Sequence, residues 1–214
     1  MTAGTAVAIH RAGDRGWLID VEPGHIAALV REIRSREWFS LVRDLVPAAA
    51  SILVLAHAIE DMAGLRAELE RLLGGFDPTT APGTAEGATV EVPVVYDGED
   101  LGYVGAALGL EPAAIVAAHT GAVHRVGFFG FAPGFAYLDG SATKLSLPRR
   151  TSPRPRVAAG AVAIAGTQTV VYPGGTPGGW HIIGHTEELL WNIEWESPSR
   201  LAVGDRVVFR EVPR

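Results

Sequence analysis

The sequence predicts an α+β chain in two parts: a small N-terminal α/β sandwich domain over residues 1–83, and a strand-rich barrel or sandwich over 84–214. Three observations predict it. Up to residue 75, helical apolar spacing alternates with short strand-like runs. "GGFDPTTAPGTAEGA" (74–88) has no hydrophobic periodicity and reads as a linker. From Val126 onward, short β-branched runs are punctuated by Gly and Pro, as in a barrel or sandwich rather than a parallel sheet.

The elements follow in order. "TAVAIHRAG" and "GWLIDVE" are two strands around a turn at Gly13–Gly16. After Gly24, the apolar Ile26, Leu29, Val30 and Ile33 mark one helix face, with Arg31, Glu32 and Arg34 off it. "SILVLAH" (51–57) is a buried strand beyond the Pro47 break. Leu65, Leu69, Leu72 and Leu73 line a second helix that stops at Gly74–Gly75. The resulting order β-β-α-β-α places two helices on one face of an antiparallel sheet. Past the linker, "TVEVPVVY" is a strand and "EDLGYVGAALGL" a short helix. "EPAAIVAAHTGAV" is a helix with Pro112 in its first turn. "VAAGAVAIAG", "TQTVVYP", "GWHIIGHT" and "DRVVFREV" supply the later strands.

Of 214 residues, 48% are hydrophobic and 20% charged, enough for a normal core. The absence of Cys excludes disulfides, thiol nucleophiles and thiolate metal sites. No basic stretch leads into an apolar core at the start, and no uncharged run reaches the roughly 18 residues of a membrane span, so the expected location is the cytoplasm. A net charge of −6 argues against nucleic acid as the partner. The charge is uneven, however. "KLSLPRRTSPRPR" (144–156) holds Lys144, Arg149, Arg150, Arg154 and Arg156 with no acid, on a path stiffened by Pro148, Pro153 and Pro155. It reads equally as a solvated loop or as a clamp for carboxylate or phosphate.

Two stretches combine rings with bare backbone. "GFFGFAPGFAYLDG" (127–140) carries four of the seven Phe. It is either a buried bend or an aromatic-walled pocket with the Tyr137 hydroxyl on its wall. In "YPGGTPGGWHIIGHT" (172–186), six residues from Pro173 to Gly179 are Gly or Pro, and Trp180 follows. Such glycines form a plain turn or a nest of N–H groups that holds an anion. Neither a phosphate-binding P-loop nor a dinucleotide fingerprint is present. His119 follows Val116 by three and Ile115 by four, on the apolar face of its helix; it is a core residue unless it meets a site where it can move protons. His181 and His185 lack the partners of a metal site, so no metal is expected. Gln168 offers an amide that donates and accepts at once. No Gly-x-Ser-x-Gly elbow or Ser-His-Asp arrangement names a nucleophile.

"FFGFAPGFAYL" followed by "LPRRTSPRPRVAAGAVAIAGTQTVVYPGGTPGGWHIIGHT" resembles the family of KipI, allophanate hydrolase subunit 1 and the B component of 5-oxoprolinase (PxpB). "GDRGWLIDVEP" and "VEVPVVYDGEDL" extend the likeness over nearly the whole chain. Ala136, Ala158, Ala161 and Val170 depart from the family pattern by small apolar exchanges. The resemblance implies a cyclophilin-like β-barrel for the second domain. It further implies work beside a homologous KipA-type partner and a LamB/YcsF-type partner, in an assembly that uses ATP to open 5-oxo-L-proline to L-glutamate. Allophanate-type amide hydrolysis and inhibition of a sensor histidine kinase are the alternatives within the family. On the first expectation His119, Arg149 and Gln168 are the catalytic candidates. Phe131, Pro133, Gly134, Tyr137 and Arg154 are substrate-binding candidates, as are Tyr172, Gly178, Gly179, Trp180 and Thr186.

Overall fold

The computed structural model describes residues 8–77, 87–140 and 143–214. The start of the first expected strand, most of the linker and the 83/84 boundary lie outside the described residues. The chain divides into two compact units, Met1–Ala85 and Glu86–Arg214.

In the first unit, β1 (Ile9–Ala12), β2 (Gly16–Asp20), β3 (Val42–Pro47) and β4 (Ser51–Ala56) form one antiparallel sheet in the order β1-β2-β4-β3. Helices α1 (Ile26–Arg34) and α2 (Met62–Gly75) bury Leu29, Ile33, Leu65 and Leu69 in one cluster with Trp17, Ile19, Ile52 and Val54. Those sheet residues alternate along β2 and β4, so one face is apolar by construction. The Trp17 indole N–H donates to the Met62 carbonyl at 3.0 Å, which satisfies its one polar atom inside the core. The observed order is β-β-α-β-β-α, so β3 corrects the sequence expectation. Its two buried residues, Val42 and Leu45, lie three apart across a bulge, and the bulge breaks the period of two that marks a strand.

In the second unit, β5 (Thr89–Val94) precedes α3 (Leu101–Leu108) and α4 (Pro112–Thr120), and six strands follow. These are β6 (His124–Phe129), β7 (Ala136–Asp139), β8 (Ala161–Ala165), β9 (Gln168–Val171), β10 (His181–His185) and β11 (Arg206–Glu211). The sheet runs β10-β8-β9-β7-β6-β11-β5, antiparallel except where β11 meets β5. Val95 and His185 then exchange two backbone hydrogen bonds of 2.9 Å, which joins the chain after β5 to β10 and closes the sheet into a barrel. Closure removes the unpaired edges an open sheet would leave.

Alternation along β8 divides two cores. Val162 and Ile164 face the barrel interior with Val126, Leu138, Val171 and Phe209, whereas Ala161, Ala163 and Ala165 face outward. The interior also holds histidine. His119 is fully buried, with the Tyr96 hydroxyl 2.7 Å from Nδ1 and the Thr169 hydroxyl 3.1 Å from Nε2. His124, equally buried, donates from Nε2 to the His119 carbonyl at 3.1 Å. Its Nδ1 has no hydrogen-bond partner among the described residues. Burial holds both imidazoles below the usual histidine range; the neighbouring His124 adds to the effect at His119, and the hydrogen bond to His119 partly offsets it at His124.

Both rings are therefore neutral in the folded barrel, whereas in the unfolded chain they take protons near pH 6.5. A depressed folded pKa leaves stability at its full value above about pH 6.5 and lowers it as pH falls, by at most about 1.4 kcal/mol per pH unit for each histidine. Urea unfolding midpoints are expected to be level from pH 8 to about 6.5 and to fall at lower pH, less steeply in a His124→Gln variant. Identical midpoints at pH 7.5 and 5.5 would contradict this assignment.

Candidate active site

A cleft of about 240 Å³ opens on the outer face of the barrel sheet. Phe135, 1% exposed, is its hub. Its ring meets Phe131 at 5.3 Å, Tyr137 at 5.1 Å, Tyr172 at 5.1 Å and Trp180 at 6.5 Å, mostly edge to face. These arrangements bring the positive edge of one ring to the negative face of another. The outward alanines of β8 belong to the same cluster, and their small side chains leave room for the rings. Phe128 stacks on Tyr137 at 4.2 Å and supports it from the side. The cleft is completed by Arg149, Pro153, Pro177, Gly178 and Gly179.

The turn that carries Phe131 is made by two successive hydrogen bonds. Ala132 N–H donates to Gly130 O at 2.8 Å across Phe131, which is a γ-turn, and Phe131 has φ of +69°. Phe135 N–H then donates to Ala132 O at 3.0 Å across Pro133 and Gly134, with φ of +75° at Gly134. Pro in the second place and a positive-φ Gly in the third are the signature of a type II turn. A bulky residue at positive φ costs about 1 kcal/mol or more. It leaves Phe131 63% exposed at the cleft mouth.

Asp100 places the opposite wall. It sits at the N-cap of α3 but makes no side-chain cap bond. Its carboxylate instead accepts from Arg150 Nη1 at 2.7 Å, from Arg154 Nη2 at 2.8 Å to each oxygen, and from Ile182 N–H at 2.7 Å. Burial by itself raises the Asp100 pKa; the Arg154 hydrogen bonds, the Ile182 N–H and the two guanidinium charges outweigh it and hold the pKa below the usual carboxylate range. The arginine segment is also stitched to the glycine segment. Arg150 N–H donates to Gly179 O at 2.7 Å, and Arg154 and Gly178 exchange backbone bonds of 2.8 and 3.0 Å. His181 Nε2 donates to Pro148 O at 2.9 Å.

With Arg150 and Arg154 committed, Arg149 has no carboxylate partner among the described residues. Its Cζ lies 5.5 Å from the centre of the Trp180 ring, over the negative π face. The buried Tyr172 hydroxyl lies against Gly178, so close that a Cβ at Gly178 would overlap it. Burial raises the Tyr172 pKa, partly offset by the Trp180 backbone and the Arg149 charge, so the phenol stays protonated.

Of the expected site residues, the structure brings Phe131, Tyr137, Arg149, Tyr172, Gly178, Gly179 and Trp180 to the cleft. It does not bring His119, which lies inside the barrel with both ring nitrogens engaged. Gln168 shares the outer face of β9 with Val170 and Tyr172, but sits about 13 Å along the strand from Tyr172, and its amide N–H donates to Asp139 at 2.7 Å. Arg154 turns to Asp100 and Glu99. Gly134 packs on Trp191 beside a second, smaller hollow, and Pro133 is a turn residue outside the cleft lining. The Thr186 hydroxyl accepts from Glu188 N–H at 3.1 Å. No free nest forms at the glycines, because Gly175 N–H goes to Val157 O and Gly178 N–H to Arg154 O. Pro153, Pro177 and Asp100 are not among the sequence candidates, and Phe135 enters only through the pocket reading of the Phe run. Phe135 lies in the quoted Phe run, while nothing local to "DGEDLGY" marks Asp100 as more than a helix start. Among the described residues no group of three or more His, Asp or Glu is placed to hold a metal.

A closed barrel with an aromatic cleft on its outer face defines the class. The chain belongs to the family of the carboxyltransferase domain, subdomain C and D, whose pattern matches residues 7–201. It is 45% identical over 123 residues to the B component of the 5-oxoprolinase of Bacillus subtilis (strain 168), covering 56% of this chain and 51% of the relative. It is 40% identical over 171 residues to the corresponding component of the Escherichia coli O157:H7 enzyme, covering 78% of this chain and 77% of the relative. The crystal structure of TTHA0988 superposes with a TM-score of 0.77 at 36% identity, over 94% of this chain and 41% of that one. The matches thus span about half of the Bacillus relative and less than half of TTHA0988.

Two substitutions test the wall. Asp100→Ala leaves two guanidinium groups without their buried partner and is expected to cost about 3 kcal/mol in urea unfolding. Gly178→Ala forces Tyr172 outward and is expected to cost about 1–3 kcal/mol. Wild-type midpoints for both would refute the described packing.

Proposed function

We propose that this chain is one component of an ATP-dependent 5-oxoprolinase, in which the cleft holds the cyclic amide while 5-oxo-L-proline, ATP and water become L-glutamate, ADP and phosphate. The observation that carries the proposal is Arg149. A guanidinium without a carboxylate partner among the described residues, laid on an indole in a cleft of about 240 Å³, suits a small monocarboxylate with an apolar ring. The likeness to chains named as the B component of 5-oxoprolinase supports that substrate among small carboxylates.

In this reading Arg149 pairs with the substrate carboxylate, and Trp180 and Phe131 flank the five-membered ring. The Tyr137 hydroxyl donates to the amide oxygen. An unstrained amide is a poor electrophile, and donors aimed at its oxygen stabilise the charge that develops there. The cleft does not fit ATP: it presents one cation and ring walls where a triphosphate needs several donors. Nucleotide chemistry therefore belongs to the assembled complex, with a KipA-type partner and a LamB/YcsF-type partner, and the isolated chain is inactive. His119, sealed in the core, takes no part in proton transfer to the substrate.

The test is reconstitution of the three components and measurement of ATP-dependent loss of 5-oxoproline. Arg149→Ala is expected to raise KM by roughly 10- to 100-fold, the loss of one charge-assisted contact, while leaving the thermal midpoint within a few degrees. No turnover by the wild-type assembly, or an unchanged KM in the variant, would overturn the proposal.

A further inference from the structure

The cleft wall holds two adjacent glycines, and packing inside the protein accounts for only one of them. At Gly178 an added Cβ would overlap the Tyr172 hydroxyl, so the protein's own packing excludes a side chain there. At Gly179 the nearest atoms to an added Cβ are Arg150 O and Pro153 Cβ at 3.7 Å and Arg149 Cβ at 4.0 Å, which is ordinary van der Waals contact. The backbone does not require glycine at 179 either. Gly174 and Gly175, a few positions earlier, have φ of +109° and +74°, whereas Gly179 is not among the residues with positive φ. Alanine at 179 would fit the fold, and it would also restrict the unfolded chain more than glycine does. Neither packing nor conformation explains the missing side chain.

The cleft supplies a reason. Arg149 and Pro153 line it, as Gly179 itself does, so a methyl group at 179 would stand in the cleft between them. That methyl could not swing aside, because the backbone is held on both sides. Gly179 O accepts from Arg150 N–H at 2.7 Å, and Gly178 exchanges bonds of 2.8 and 3.0 Å with Arg154. Both arginines are tied in turn to the buried Asp100 carboxylate. The space left open at 179 is therefore a fixed notch at the foot of the Arg149 side chain. The far end of that side chain, its guanidinium, lies over the Trp180 ring.

We infer that Gly179 is the specificity-determining residue of the cleft: its bare backbone makes the notch that receives the body of a small cyclic carboxylate whose charged group sits on Arg149. This deepens the proposed function and rests on it for the pairing of Arg149 with a carboxylate. Glycine lets a ligand approach the main chain closely. A carboxylate with no more than a methyl attached reaches the guanidinium without entering the notch, whereas a five-membered ring bearing the carboxylate fills it. One carbon in such a space discriminates strongly, since apolar sites distinguish ligands that differ by a methylene by about 10- to 200-fold.

The experiment measures dissociation constants of the full chain for 5-oxo-L-proline and for acetate, by nuclear magnetic resonance titration of the tryptophan indole N–H signals. Gly179→Ala is expected to weaken 5-oxo-L-proline binding by roughly tenfold or more and to leave acetate within about twofold. Its thermal midpoint is expected at or above the wild-type value, while the neighbouring Gly178→Ala lowers it. Unchanged affinity for 5-oxo-L-proline in Gly179→Ala, or equal weakening of both carboxylates, would overturn the inference. So would a lowered midpoint in that variant, which would make the glycine structural, or failure of the wild-type chain to bind either carboxylate. Selective loss of the cyclic ligand in Gly179→Ala, alongside an assembly that does not consume 5-oxoproline, would sink the proposed function and leave this inference standing. Turnover by an assembly carrying Gly179→Ala at the wild-type KM would do the reverse.

Discussion

Asp100 is a buried carboxylate that gathers segments 50 to 82 positions away in the chain: two guanidinium groups from the arginine segment and a backbone N–H from β10. Taking such a charge out of water costs several kcal/mol unless its lone pairs are filled, and here both oxygens accept. The wall of the cleft depends on this arrangement. With Glu99, Asp100 balances the charges of Arg150 and Arg154, and it fixes the backbone that carries Arg149. A segment with five cations and no acid thereby presents a single directed charge to the cleft.

The other wall is held by shape. Alternation along β8 puts alanine outward and valine or isoleucine inward, so one strand serves a packed barrel core and a recessed aromatic platform. Glycine at 178 lets the Tyr172 hydroxyl lie flush against backbone, and the tight turns at 130–135 push Phe131 to the rim. Rigid rings lose little conformational freedom on meeting a ligand, so a platform of this kind is pre-organised. Its polar equipment is sparse: Arg149 and the hydroxyls of Tyr137 and Tyr172 are the polar side chains of the lining.

Much of this was legible in the sequence. Period-two and period-3.6 patterns located most strands and helices of both units, except β3, where a bulge hid the alternation, and β6 and β7, which lie in and beside the glycine-broken Phe run. The Phe run left a buried bend and an aromatic-walled pocket both open, and the Gly-Pro run a plain turn and an anion nest; rings from both runs line one cleft. Long-range charge pairing leaves no local trace. Asp100 reads as an ordinary helix cap, and only the fold shows that its carboxylate faces residues 150 and 154. His119 and Gln168 were drawn toward the site by chemistry that suits catalysis, yet the alternation of β9 turns Thr169 inward to His119 and sends Gln168 to the outer face beside Asp139.

The central claim is that the arginine left over from the Asp100 tether is the ligand-binding cation. A structure of the assembled complex with 5-oxo-L-proline tests it most directly. The account predicts the substrate carboxylate within hydrogen-bonding distance of the Arg149 guanidinium and the ring against Trp180. Substrate bound elsewhere, or Arg149 turned to a protein carboxylate with the cleft empty, would contradict it.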